Sequence, residues 1–287
     1  MSETNGGYYV PHGSGWPIIG SIGLFLMLQG FANFLNGSGT GSTVMLIGFA
    51  VLMFMVFGWF RTVINESEAG IYNSQVDKSF RWGMSWFIFS EVMFFAAFFG
   101  ALWYARVLSV PWLGGADPGT NELLWNGWEA VWPTNGPGDV GGEFTLLDPW
   151  KIPALNTLLL LSSGVTITFA HWALKKQQRG PLVLWMIATV ALGATFLGFQ
   201  IHEYGQAYGE HHNLTLESGI YGSTFFMLTG FHGLHVTLGT IMLIVITLRC
   251  MKGHFTPEHH FGFEAVAWYW HFVDVVWLGL FIFVYLL

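Results

Sequence analysis

Charge is what this chain lacks most. Only 9% of its 287 residues are Asp, Glu, Lys or Arg, against about 25% in soluble domains. So little polar side chain cannot cover a water-facing surface, which excludes a soluble globular protein. Cysteine is almost absent. The single Cys250 excludes an internal disulfide, a thiolate zinc site, a two-cysteine copper centre and covalent haem attachment through C-x-x-C-H. Ten basic residues against 17 acidic ones, a net charge of −7, leave no footprint for nucleic acid. Residues 1–17 lack a basic n-region and a small-residue cleavage site, so no signal peptide is expected to be removed. Neither a hydrolase nucleophile motif nor a phosphate-cradling glycine loop is present, and no internal repeat is visible.

Apolar residues, in contrast, make up 53% of the chain, with 27 Phe and 15 Trp. They fall into runs of the length that crosses a bilayer, about 20 residues as a helix. Seven such spans are expected, over residues 16–35, 43–60, 80–104, 155–174, 182–201, 219–248 and 264–287. These runs are too long, and too irregular in alternation, for the strands of a membrane barrel. The chain therefore reads as an all-α membrane protein, one multi-pass domain over residues 1–287.

Basic residues set an expected orientation. Arg61, Lys78, Arg81, Lys175, Lys176, Arg179, Arg249 and Lys252 share the side of the N-terminus, and only Arg106 and Lys151 lie opposite. The positive-inside rule then puts the N-terminus in the cytoplasm and the C-terminus outside. The longest connection, 107–152, falls outside and carries six carboxylates, one lysine and five tryptophans. Disordered segments are poor in aromatics, so this loop is expected to be ordered.

Ionisable groups within apolar spans are rare and usually have a partner or a task. Glu91 sits mid-span in WFIFSEVMFFAAFF. Two readings stay open for it: a proton-pathway carboxylate, or an interhelical hydrogen bond with His232 or His235. Those two histidines, in TGFHGLHVTLGT, share a helix face; a structural polar pair and a haem or copper ligand both fit that spacing. Glu264, His271 and Asp274 lie near one stripe of the last span and should face protein. His202 and Glu203 close the fifth span, where a solvated cap is the simpler reading. His254, His259 and His260 precede the last span without a regular ligand spacing. Trp59, Arg61, Arg249 and Lys252 end spans at headgroup level, where basic and aromatic side chains anchor a helix or hold lipid.

Six motifs in order, WPIIGSIGLFLM, GWFRTVINES, RWGMSWFIFSEVMFFAAFF, PALNTLLLLSSGVTITFAHWAL, YGSTFFMLTGFHGLHVTLGT and HFTPEHHFGFEAVAWYWHFVDVVWL, resemble subunit III of haem–copper respiratory oxidases, over nearly the whole chain. The long Trp-rich loop looks bacterial. The resemblance implies an accessory, non-redox subunit of a proton-pumping terminal oxidase of the cytochrome c type in the bacterial inner membrane. Its first two helices would splay from the other five into a cleft holding phospholipid. It also implies that haem and copper reside in partner subunits I and II, with no metal and no catalytic centre in this chain. Cytochrome c would dock on the complex, and small subunits could join it. By the same resemblance Glu91 becomes the reactive, proton-pathway carboxylate; Trp59, Arg61 and Arg249 become lipid-cleft residues; and His232, His235, His271 and Asp274 become structural. The alternatives are subunit III of a quinol oxidase, which usually lacks the first two spans, and a free-standing b-type cytochrome using the histidines, with His171, His202 or His271 as the ligand from a second helix.

Overall fold

A computed structural model describes residues 13–287. The expectation of an uncleaved N-terminus rests mostly on residues 1–12, which lie outside the described residues. Among the described residues there is no strand, and seven helices are long and apolar enough to span a membrane. The protein is all-α, and its chain divides into two compact units, 1–80 and 81–287.

The first unit is a helical hairpin of α1 (Trp16–Leu35) and α2 (Gly41–Glu68), followed by the start of α3 (Ser74–Tyr104). Pro17 sits in the first turn of α1, where its missing N–H costs no helical hydrogen bond. Glycine decides how closely the hairpin packs. A Cβ on Gly30 would run into the Met45 backbone, and one on Gly48 into the Met27 backbone. The helices therefore touch main chain to main chain, the small-residue packing that apolar helices use where lipid removes the hydrophobic drive. At its open end the Trp16 indole N–H donates to Thr62 Oγ1 at 3.3 Å.

Helix ends lie beyond the apolar runs. α2 continues through Arg61 and the polar NESE segment, two turns past its expected end at 60. α3 starts at Ser74 rather than 80, because the Asn73 side chain accepts from the Gln75 and Val76 N–H groups, each at 3.0 Å. That is an N-cap, and it satisfies two of the donors a helix start leaves unpaired. The polar connection shrinks to residues 69–73.

In the second unit α3 runs into two π-helical turns, Ala105–Ser109 and Trp112–Ala116, and then the short α4 (Pro118–Leu124). Asp117 caps α4 by accepting from the Thr120 N–H at 3.0 Å. The first ten residues of the expected outer loop, 107–116, thus prolong the span. The remainder of the loop is pinned to the chain around the next-to-last helix. Thr145 N–H donates to the His212 carbonyl at 2.8 Å and Tyr221 N–H to the Thr134 carbonyl at 3.2 Å. The Phe144 ring stacks on Tyr221 at 5.6 Å.

Four helices form the body of this unit: α5 (Ile152–Lys175), α6 (Arg179–Ala207), α7 (Gly219–Lys252) and α8 (Phe261–Leu280), the last ending in a π turn over Phe281–Leu286. They pack in a ring, α5 on α6, α6 on α7, α7 on α8 and α8 back on α5. Trp270, Trp277 and Phe196 fill its centre, each fully buried. α3 leans on this ring through aromatic side chains, Phe95 against Phe272 and Phe99 against Phe283, with centroids 6.0 Å apart in both pairs. Large apolar side chains such as Leu184, Ile201 and Val275 point outward, as lipid-facing positions should.

Candidate functional site

Where α3 crosses α7, Glu91 Oε2 lies 2.9 Å from His235 Nε2. The other imidazole nitrogen, Nδ1, is 2.7 Å from the Phe231 carbonyl one turn back. A carbonyl only accepts, so Nδ1 carries the hydrogen, and Nε2 of the neutral ring offers a lone pair to Glu91. Two acceptors at this distance require one proton between them. The pair holds that proton as carboxylic acid and imidazole, or as carboxylate and imidazolium, and either arrangement is neutral overall. Its surroundings are aromatic: Phe95 meets the imidazole edge-on at 5.0 Å and Tyr269 stacks over it at 6.3 Å.

His232, one turn earlier on the same helix, is fully buried and points elsewhere. Its Nε2–H donates to the Val273 carbonyl of α8 at 3.2 Å. The Phe196 and Trp277 rings flank the imidazole at 5.7 and 5.1 Å. Of the four ring nitrogens of His232 and His235, three are engaged by protein, and the fourth, His232 Nδ1, is buried. An axial haem ligand needs a nitrogen aimed at a slot for a flat macrocycle, and this packing provides none at the pair.

The three ionisable residues of α8 separate into two groups. Near the middle of the helix, His271 Nδ1 is 3.7 Å from Asp274 Oδ2, and Asp274 packs where Gly164 of α5 leaves room. At the start of the helix, Glu264 pairs with the Arg81 guanidinium of α3 through Oε2. Its Oε1 lies 3.3 Å from His260 Nε2 and 3.4 Å from His171 Nε2. His171 comes from the end of α5, and the sequence offered it only as a possible second ligand of a bis-histidine haem; its partners lie 89 and 93 positions away along the chain. His260 and Glu264 are four apart, a spacing visible in HHFGFE.

Comparison with known proteins decides the family. The model of the family described as cytochrome c oxidase subunit III matches residues 7–287. Cytochrome c oxidase subunit 3 of Marchantia polymorpha is 43% identical over 273 residues, 95% of this chain and 93% of its own length. The Triticum aestivum protein of the same name is 42% identical over 279 residues, 97% and 95% of the two chains. That of Cyprinus carpio is 40% identical over 286 residues, 99% and 98%. The chain belongs to the cytochrome c oxidase subunit III family.

As a member of the subunit III family it is one component of an oxidoreductase complex. Of the residues expected to meet lipid, Trp59 and Arg61 are exposed on α2, in the first unit. In the second unit Lys252 is exposed on the last turn of α7, and Arg249 lies over the Phe255 ring at 4.5 Å. One expectation needs correction. His202 is exposed, as a cap would be, and its Nε2 lies 3.2 Å from the Gln206 amide. Glu203, however, is 1% exposed beside Tyr285 and is no solvated cap. α6 extends to Ala207, which leaves Glu203 a turn inside the helix end and facing the bundle. The apolar run stops at 201, so sequence could not locate that turn.

Proposed function

We propose that this chain is the accessory, non-redox subunit of its oxidase, stabilising subunit I and supporting proton uptake during oxygen reduction, with the haems and copper in subunits I and II. The observation that carries the proton role is the Glu91–His235 contact of 2.9 Å with His235 Nδ1 tied to a carbonyl. A pair so held keeps one proton in an aromatic pocket and can shift it between carboxylate and imidazole while staying neutral, which lowers the cost of an ionisable site at membrane depth. Passing the proton on leaves one negative charge until another proton enters. His232, His271, Asp274 and Glu264 act as structural partners between helices in this reading, and single interhelical hydrogen bonds of this kind contribute about 0.6–2 kcal/mol.

Phospholipid is proposed to sit against the first two helices at Trp59 and Arg61, and against Arg249 and Lys252, where cations at a helix end meet anionic headgroups. The chain is placed in a bacterial inner membrane with its N-terminus cytoplasmic. Support comes from the eight-to-two distribution of Lys and Arg and from the long Trp-rich outer segment.

The deciding experiment removes the chain from the purified oxidase. The initial turnover rate should fall little, while the number of turnovers before inactivation should drop several-fold and recover when the chain is added back. A lifetime unaltered by removal would overturn the supporting role. Glu91→Gln should retain assembly yet shorten lifetime, because an amide still donates to His235 Nε2 but cannot release a proton. A Glu91→Gln enzyme with unaltered lifetime and unaltered proton uptake would make the carboxylate structural.

A further inference from the structure

At the end opposite the basic helix ends, the ring of α5, α6, α7 and α8 closes on polar side chains that the proposed function does not use. Gln200 and Glu203, three apart on α6, face inward and are 5% and 1% exposed. Asn156 of α5 is fully buried. The 2.7 Å contact of Thr166 with Thr189 fixes the antiparallel register of α5 and α6. Followed toward this end, that register brings Asn156 level with Phe199 and Gln200. The π turn that ends α8 adds Tyr285. Its ring packs on Phe225 of α7 at 5.3 Å, and its hydroxyl stands beside Gln200 and Glu203.

These groups are polar, buried and short of partners. Neither carboxylate oxygen of Glu203 makes a hydrogen bond of ordinary geometry, nor do the amide atoms of Gln200 and Asn156 or the Tyr285 hydroxyl. Native interiors seldom leave polar groups so, and an ionised carboxylate least of all. A concentration of them at one level of the bundle points to something bound between them. Charge and donor type select what it is. Five of the unpaired atoms are oxygens, and the rest are amide nitrogens without a lone pair to give. Zinc, which prefers imidazole or thiolate, is a poor match. Calcium takes six to eight oxygens, commonly from several carboxylates, and here there is one carboxylate. Among the described residues no Lys, Arg or His side chain pairs with Glu203. A single positive charge with an affinity for oxygen balances the set, as sodium ions do when held by oxygens at helix breaks in membrane proteins.

A route of entry adjoins the group. A groove of about 660 Å³ runs between the start of α5 and the end of α6, bordered by Pro153 and Glu203, with Asp148, Lys151 and Glu210 also on its walls. Lys151 is paired with Asp148 at 3.6 Å, and the exposed Glu210 adds negative charge that draws cations to the groove.

We propose that Glu203, Gln200, Asn156 and Tyr285 bind one alkali-metal cation of the sodium class, which enters through this groove. Bound there, the ion joins α5, α6 and the end of α8, and the two amide N–H groups turn to the carboxylate or to water in the ion's shell. The inference stands independently of the proton role assigned to Glu91.

The test uses the full chain in phosphatidylcholine nanodiscs, in sodium chloride against N-methylglucamine chloride at equal ionic strength. The thermal midpoint of the unsubstituted chain should be higher in sodium and climb with the logarithm of its concentration. Glu203→Gln, which keeps the shape and removes the charge, should show the same midpoint in both salts. Sodium-23 NMR supplies a readout that does not depend on unfolding: the unsubstituted chain should broaden the sodium resonance, and Glu203→Gln should abolish that broadening. Equal midpoints in the two salts for the unsubstituted chain, or an undiminished sodium effect in folded Glu203→Gln, would each overturn the assignment. So would an infrared band of protonated Glu203 that sodium leaves unaltered, which would make the group a neutral acid held by water.

Discussion

The Trp270 indole N–H donates to the Ser163 hydroxyl across 2.8 Å, tying the middle of α8 to α5 at the centre of the four-helix ring. The indole is fully buried and fills the space that Gly193 on α6 and Gly239 on α7 leave beside it. One side chain therefore touches all four helices. Truncation should act on packing first and hydrogen bonding second. Trp270→Ala is expected to cost about 3–5 kcal/mol through the cavity it opens. Trp270→Phe should cost less, retaining most of the ring volume while leaving the Ser163 hydroxyl without its donor. Denaturant unfolding of the two variants in one detergent checks the order; equal losses would show that the volume is irrelevant.

A similar comparison separates hydrogen bonding from protonation at Glu91. Glu91→Gln preserves a donor to His235 and should leave the unfolding midpoint of the chain near that of the parent. Glu91→Ala strands Nε2 between α3 and α7 and should lower stability by about 1–2 kcal/mol. Infrared difference spectra on hydration with heavy water should contain a carboxylic or carboxylate band that both substitutions abolish. A band surviving in Glu91→Gln would assign the signal to another acid.

Close main-chain contact makes the first hairpin sensitive to bulk. Gly30→Leu or Gly48→Leu forces α1 and α2 apart and should cost about 1–3 kcal/mol, the usual range for overpacking. Ser21→Ala is the control, since its hydroxyl only bonds back to the Pro17 carbonyl at 2.9 Å on an exposed face. Protease sensitivity of the turn at residues 36–40 should rise in the glycine variants and not in the control.

For Arg61 and Lys252, loss of charge should reduce lipid retention without unfolding the chain. Each cation near an anionic surface contributes about 1 kcal/mol. Combining Arg61→Gln with Lys252→Gln should therefore lower the anionic phospholipid that co-purifies, measured by native mass spectrometry. Unchanged lipid content would remove these two residues from the proposed lipid contacts.

Much of the architecture was legible in the residues, for a plain reason. A bilayer demands uninterrupted apolar helices, so seven runs mark seven spans. The same criterion reports the hydrocarbon slab and not the helix. It stopped at Phe60 although α2 continues to Glu68, and at Ile201 although α6 continues to Ala207. Asn73, a strong N-cap residue ahead of Gln75 and Val76, was a usable sign that α3 begins before Phe80. Glu91 stood out because it is isolated in an apolar span, and His235 lies on the α7 face that meets it. His171 gave only a weak sign, as one of several histidines that could have served a haem. A lone histidine in FAHWAL is indistinguishable from a packed one until folding brings His260 and Glu264 beside it. The run His254, His259, His260 drew notice as a cluster, yet only its last member joins the convergent group, since the chain turns between them before α8 begins.

The glycine-lined hairpin at the start of the chain has one more consequence. α1 and α2 are neighbours in sequence, joined by a five-residue turn at 36–40, and make their closest contacts with each other. Their association needs only the closure of a short loop, which is fast and entropically cheap. The pair is thus expected to zip together soon after both helices enter the bilayer, while the later helices are still being synthesised. A defect at Gly30 or Gly48 would then reveal itself during biogenesis, as material degraded before assembly, ahead of any change in the finished enzyme.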